Sequence, residues 1–232
     1  MDEILSIAVK YGDLFIMGTK ITIITSAVST VAGLLIAVFL ALFKLRVFNF
    51  PPLYWLTTVF VEIIRGTPLL VQIAMAFFGL PLLGIHFPNV EIMGVEFDRL
   101  FAGIVALTIN MSAYGCEIIR SGIQSIDKGQ MEAAKALGFT TWQGMRKIVL
   151  PQAIKNLLPV LGNEFIVMIK SSSQVSIIGL ADLMFSATTV QGISFQPFPP
   201  LVIVAVIYLI LTLIISSLIR VMEGSLSKSN SR

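Results

Sequence analysis

The chain is short of the residue types that do chemistry in solution. It has one histidine, His86, and one cysteine, Cys116, in 232 residues. No internal disulfide can form, and metal or Cys/His catalytic chemistry is poorly supplied. Charged residues make up 12% of the chain, against about 25% in a soluble domain. A net charge of +3 does not argue for nucleic acid. No G-x-x-x-x-G-K-[ST] phosphate loop occurs, so any nucleotide energy must be bound by another chain. The N-terminus, MDEILSIAVKYGD, is acidic first and does not read as a cleaved signal peptide.

What is present is apolar. Hydrophobic residues reach 56% and mean hydropathy is +0.92, which points to an all-α integral membrane protein forming a single domain. Five spans are expected, at about 14–44, 66–85, 98–120, 153–170 and 198–220. The first contains ITIITSAVSTVAGLLIAVFLALF, 23 residues that cover about 34 Å at 1.5 Å each. FPPLYWLTTVFVEIIR (50–65) carries Tyr54, Trp55, Glu62 and Arg65 and suits an interfacial elbow helix before span two. Span four is short and reads as interrupted by Pro159, Gly162 and Glu164. Residues 171–197 read as an external short helix or re-entrant piece. His86 reads as an exposed loop residue and Cys116 as a small buried filler.

Positive charge orients the spans. Twelve of the 16 Lys and Arg fall in the segment after span one, in Arg120–Lys155 and in the tail. The positive-inside bias then places the N-terminus outside and the C-terminus in the cytoplasm. The charged segment 127–151 becomes cytoplasmic. Two short helices fit it. Asp127 can cap the first, with Gln130 in capping-box position, and Gly138 suits its left-handed end; Thr140 and Gln143 repeat the pattern for the second. Met131, Ala134, Leu137 and Gly138 share a face. Such a pair reads either as a solvated connector or as a knob for a partner's groove.

Ionisable groups at membrane depth are functional candidates by default. Glu164 lies about 20 Å beyond Pro151 and Asn110 about 15 Å into span three. Asn110, Tyr114, Glu117 and Ser121 share one helical face. The solute-contacting candidates are Glu164, Asn110, Tyr114 and Ser112. A carboxylate suits a ligand ammonium or guanidinium. The structural alternatives are a hydrogen bond from Glu164 to backbone near Gly162, and pairing of Glu117 with Arg120 at i+3. Tyr208, Thr212 and Ser216 form a polar stripe that reads mainly as helix packing.

Spacing sharpens the knob reading. Glu132-Ala133-Ala134, Gly138 and Ile148-x-Leu150-Pro151 resemble the EAA…G…I-LP signature of ABC importer permeases. EIIRGTPLLVQ (62–72), SAYGCEIIRSGIQSI (112–126) and GNEFIVMIKSSS (162–173) resemble the branch that imports polar amino acids. Lys170-Ser171-Ser172-Ser173 departs from that branch, where an Asp often follows the Lys. The resemblance covers about residues 12–225. It implies the type I importer permease fold in a bacterial cytoplasmic membrane, and an ATPase-coupling role for Glu132, Ala133, Ala134, Leu137 and Gly138. It also implies two ATPase subunits holding ATP and Mg, a second permease copy or paralogue, and an extracytoplasmic solute-binding protein. No cofactor is expected in this chain and no catalysis. A charge at Ala134, or Gly138→Pro, is expected to spare the fold and break coupling. Alternatives are an ABC permease for another small solute or a secondary carrier. The latter would need an inverted repeat, and none is visible in five spans.

Overall fold

The computed structural model describes residues 2–47, 50–85 and 90–228; His86 lies outside them. Their order is α1 (Asp2–Lys10), α2 (Gly12–Lys44), α3 (Pro51–Gly66), α4 (Leu69–Leu82), a hairpin of β1 (Glu91–Ile92) and β2 (Val95–Glu96), α5 (Phe97–Gln124), α6 (Lys128–Ala136), α7 (Thr141–Gly144), α8 (Leu150–Ser171), α9 (Leu183–Ser194) and α10 (Pro199–Lys228). A π-helical turn, Met145–Val149, joins α7 to α8, and a 3₁₀ turn, Ser172–Ile178, follows α8.

Helices α2, α5 and α10 are long and apolar enough to cross a membrane, and the bent pairs α3–α4 and α7-to-α9 raise the number of spans to as many as five. These agree with the spans expected at 14–44, 98–120 and 198–220. The other two differ in form. Helix α4 has 14 residues, about 21 Å, and turns by 107° from α3 at Gly66–Pro68. It is too short to span alone. Span four is not interrupted: α8 runs through Pro159, Gly162 and Glu164 without a break. Gly162 is there for contact. A Cβ on it would lie 2.8 Å from Ile219 Cγ1 of α10, so the missing side chain lets two helices close.

The centre of the molecule is α2 against α5. Gly33 faces Met111 and Gly115 faces Ala37, each too close for a Cβ. The buried face of α2 is polar: Thr22, Thr25, Ser26, Ser29 and Thr30 are at most 6% exposed. Thr25 donates to the Ile21 carbonyl, and Ser29 reaches across to that of Ile104. Thr25 and Ser29 are satisfied by these carbonyls, and the small size of all five permits close helix approach.

The segment expected as an external or re-entrant piece is packed in. Asp182 is fully buried and caps α9, accepting from Phe185 N at 2.8 Å, while Leu183 N donates to Thr22 Oγ1. Tyr208 packs with α1 and α9 in one apolar cluster, which is packing, as its stripe suggested. Arg99 pairs with Glu96 and donates to the Ile178 carbonyl at 3.1 Å. The guanidinium occupies the space a Cβ of Gly179, at φ +77°, would need.

Candidate functional site

Two regions gather the polar side chains singled out above. The first is the segment between α5 and α8. Asp127 accepts from Gly129 N at 2.6 Å and so caps α6. The capping box expected there does not form. Gln130 turns away and accepts from Gln152 of α8. At α7 the box is complete: Gln143 N donates to Thr140 Oγ1, and Thr140 N donates to Gln143 Oε1. Gly138 adopts φ +83°, and Phe139 N reaches back to the Ala134 carbonyl, a left-handed helix end that glycine accepts without strain.

The second short helix is not separate. Thr140 starts a helical run that continues through the π turn to Ile178. Pro151 has no N–H and its ring crowds the carbonyl four residues back, that of Lys147; a widened turn relieves both. The segment is thus one capped helix, α6, folded onto the root of α8.

Ala134 is where they touch. It is 1% exposed, and a Cβ on the buried Gly144 would lie 3.3 Å from the Ala134 Cβ and 2.8 Å from Met131 Sδ. This corrects two expectations. A charge at Ala134 would sit inside the contact, and proline at position 138 cannot adopt φ +83°, so neither change spares the fold. Glu132, Ala133, Leu137 and Gly138 are exposed, Leu137 to 78%. Trp142, 67% exposed, joins them. The sequence pattern pointed past it because it stands outside the EAA–G spacing.

The second region runs along α5, on which α3, α4 and α8 each pack. Asn110 Nδ2 donates to Gln72 Oε1 at 3.0 Å. Gln72 Nε2 in turn donates to Ile64 O, Thr67 O and Thr67 Oγ1. Asn110 is therefore tied, through Gln72, to the 107° corner between α3 and α4. Gln72 was missed, although it stands in the EIIRGTPLLVQ stretch, because its partners are set by that corner. Tyr114 is half-buried, with the Arg65 guanidinium 5.5 Å from its ring centre. Glu117 takes the structural role foreseen for it and extends it. It binds Arg120 at 2.8 Å, Lys44 at 2.5 Å and Arg65 at 3.9 Å, joining α5 to α2 and α3. Ser112, expected among the solute-contacting candidates, faces the interior of the helix packing. It is 1% exposed and donates to the Ile109 carbonyl, since two residues place it about 200° around the helix from Asn110.

Glu164 is half-buried and has no hydrogen-bond or ion-pair partner among the described residues. Its helix is unbroken, so no free backbone near Gly162 awaits it. Leu157 packs against Gly122, and Met168 shares a core with Met111, so α8 and α5 run antiparallel. Glu164 lies two turns beyond Leu157 on the same face of α8, at the level of Gly115 of α5. Asn110 and Tyr114 face α4 and α3, while Glu164 is a half-buried carboxylate on α8 without a partner among the described residues.

Comparison with known proteins identifies the family. Residues 17–228 match the family model described as binding-protein-dependent transport system inner membrane component. The chain is 38% identical over 213 residues to the arginine transport system permease protein ArtQ of Bacillus subtilis (strain 168), covering 92% of both. It is 41% identical over 208 residues to the probable glutamine ABC transporter permease protein GlnM of the same organism, covering 90% of this chain and 91% of that one. The crystal structure of an amino acid ABC transporter with histidines superposes with a TM-score of 0.85 at 43% identity, over 94% of this chain and 96% of that one. The inward-facing MetNI methionine ABC transporter, at 21% identity and a TM-score of 0.67, shares the fold. With its bent spans and its knob between α5 and α8, the chain belongs to the binding-protein-dependent transport system inner membrane components, the permease family of ABC importers.

Proposed function

We propose that this chain forms half of the pathway by which an ATP-driven importer takes up polar amino acids. It has no catalytic role of its own. Its partners are two ATPase subunits, a second permease copy or paralogue, and a solute-binding protein on the outer side. The N-terminus is outside and the C-terminus cytoplasmic, in keeping with the charge bias.

The observation that carries the amino acid reading is the unpaired carboxylate of Glu164. A half-buried carboxylate at membrane depth without a partner is costly, and an ammonium or guanidinium from a solute offsets that cost with a charge-assisted hydrogen bond. Transporters commonly hold solute at such mid-membrane sites. Tyr114, on the neighbouring helix α5, is assigned to the same pathway. Asn110 and Ser112 act from behind it, Asn110 by holding Gln72 and the α3–α4 corner, Ser112 within the α5 packing. Relatives named for arginine and glutamine transport support the solute class.

The knob is the coupling element. Leu137 and Trp142 offer an apolar tip, ringed by Glu132, Ala133 and Gly138, to a groove on the ATPase. When the ATPase dimer closes on ATP, its grooves approach and carry the two knobs together, and the paired permeases open outward. Hydrolysis reverses this.

The test is ATP-driven uptake by the reconstituted complex, with arginine, histidine, glutamine, glutamate and cystine as solutes. Glu164→Gln should lower uptake of the cationic amino acids at least tenfold while the complex still assembles. Equal uptake by mutant and wild type would remove Glu164 from the pathway.

A further inference from the structure

The outer end of α8 is tied down by a side chain from α5. Helix α8 runs on through its 3₁₀ turn, Ser172–Ile178, and stops at Gly179, which has φ +77°. A helix end leaves its last carbonyls without partners in the helix. The hydroxyls of Ser172, Ser173 and Ser176 bond inside the run, to the carbonyls of Ile169, Lys170 and Ser173. The Ile178 carbonyl accepts from Arg99 Nη1 at 3.1 Å. A cation at that end also meets the negative pole of the helix dipole.

The surroundings aim Arg99 at this carbonyl. Glu96, the last residue of β2, pairs with its Nε. Gly103 lies one turn further along the same face of α5 and lets α5 close on the turn. A Cβ there would lie 3.2 Å from Leu180 Cδ2 and 3.6 Å from Val175 Cγ1. Gly179 leaves room for the guanidinium itself.

This tie differs from the next one in what water can reach. Just past Gly179, α9 is fixed to α2 by Leu183 N donating to Thr22 Oγ1, and both residues are fully buried. A buried bond is costly to break, because nothing replaces it. The Arg99 side chain is 35% exposed and that of Glu96 57%. Partners that water reaches are rehydrated as they part, so their net hold is small. A displacement of about 1 Å carries the Arg99 bond beyond hydrogen-bonding distance. The chain thus sets a weak tie at the end of α8 and a strong one at the start of α9.

We propose that Arg99 is a positioning residue for transport: it latches the outer end of α8 to α5 in this conformation and releases it when the permease opens outward. This rests on the transport reading given above. Outward opening parts helices at their outer ends, where the latch sits. Its release frees α8, which carries Glu164, while α9 stays on α2. The latch opposes opening until the binding protein and ATP act together. Without it the complex cycles idly.

The test is the full importer, reconstituted in lipid vesicles with its binding protein. Two quantities are read: ATP hydrolysis without solute, and solute taken up per ATP hydrolysed. Arg99→Gln should raise the first about threefold and lower the second about threefold, in the range a partly exposed ion pair supports. A purely structural arginine would lower hydrolysis and uptake together and leave their ratio unchanged; that result would overturn the latch. Glu96→Gln should shift both readings the same way by less. The double variant should match Arg99→Gln, since Glu96 acts through Arg99. Arg220→Gln removes the same charge from the exposed end of α10 and should stay at wild type; an equal effect there would reduce the finding to lost charge and overturn the proposal. Hydrogen exchange of the detergent-purified chain separates the latch from the transport reading. Arg99→Gln should speed exchange of the amides of 176–180 and leave α9 unchanged. If wild type takes up no amino acid, the transport reading fails, and exchange still decides: equal rates in wild type and variant would sink the latch. If Arg99→Gln does not fold, Glu96→Gln is judged by the same readings.

Discussion

Asn110 and Gln72 are joined amide to amide at 3.0 Å, and through that bond a residue of α5 holds the corner between α3 and α4. Gln72 closes the corner by donating to Ile64 and Thr67. The two side chains work as one unit. Gln72→Ala should cost about 1–2 kcal/mol, because it strands acceptors as well as removing bonds. Asn110→Ala should cost less. The double variant should be little worse than Gln72→Ala alone, as coupled positions are. Thermal unfolding of the four proteins in one detergent checks this; additive losses would show that the bond carries nothing.

The knob separates structural from docking positions. Ala134→Asp puts a carboxylate into the contact with Gly144 and Met131, and should cost on the order of 3 kcal/mol. Leu137→Asp changes an exposed residue and should move stability by less than about 0.5 kcal/mol. Yet it should reduce recovery of the ATPase subunit with an affinity-tagged permease, and Trp142→Ala should act the same way. Full ATPase recovery with both exposed variants would refute docking at this tip.

Glu117→Gln leaves Lys44, Arg65 and Arg120 facing one another. The side chain is 17% exposed, so water screens part of the repulsion, and about 2 kcal/mol of destabilisation is expected. Lys44→Met in the same background should recover part of it, since one of the unpaired cations is then gone. Midpoints of thermal unfolding report both changes. Destabilisation that deepens in the double variant would mean that Lys44 contributes through its packing.

Gly162→Val forces a branched side chain against Ile219 and should cost about 1–3 kcal/mol by overpacking. Ile219→Ala should restore much of that when combined with it, although alone it leaves a cavity. A cycle without this compensation would mean that α8 and α10 do not meet there.

What the sequence conveys follows from where each determinant lies. The long spans are legible because hydropathy alone writes them, and the α7 box because Thr140 and Gln143 are three residues apart. The first box misled. Gln130 has the right spacing, but Gln152, 22 residues away, competes for its amide. Span four looked broken because Pro159 and Gly162 are helix breakers by propensity; packing against α10 overrides propensity. The polar face of α2 went unread because Ser and Thr score as nearly neutral in a hydropathy profile. The hairpin of β1 and β2 turns at Met93 and Gly94, both with positive φ, and a methionine gives no turn signal there. At the site, Glu164 stood out by its charge. Gln72 and Trp142 did not, because their meaning depends on a corner and a surface that exist only once the chain is folded.

Between Thr141 and Ile178 the backbone contains no loop. The 38 residues span roughly 57 Å at helical rise, with Trp142 near one end and the carbonyl that receives Arg99 at the other. This is a lever arm. A tilt of about ten degrees, pivoting at the knob, sweeps the far end through roughly 10 Å, since small angles multiply over such a length. Glu164 sits partway along it and travels through a fraction of that arc. A single helical run therefore ties the surface around Trp142 to Glu164 and to the carbonyl that receives Arg99, its departures from α geometry being the π turn at Met145–Val149 and the 3₁₀ turn at Ser172–Ile178.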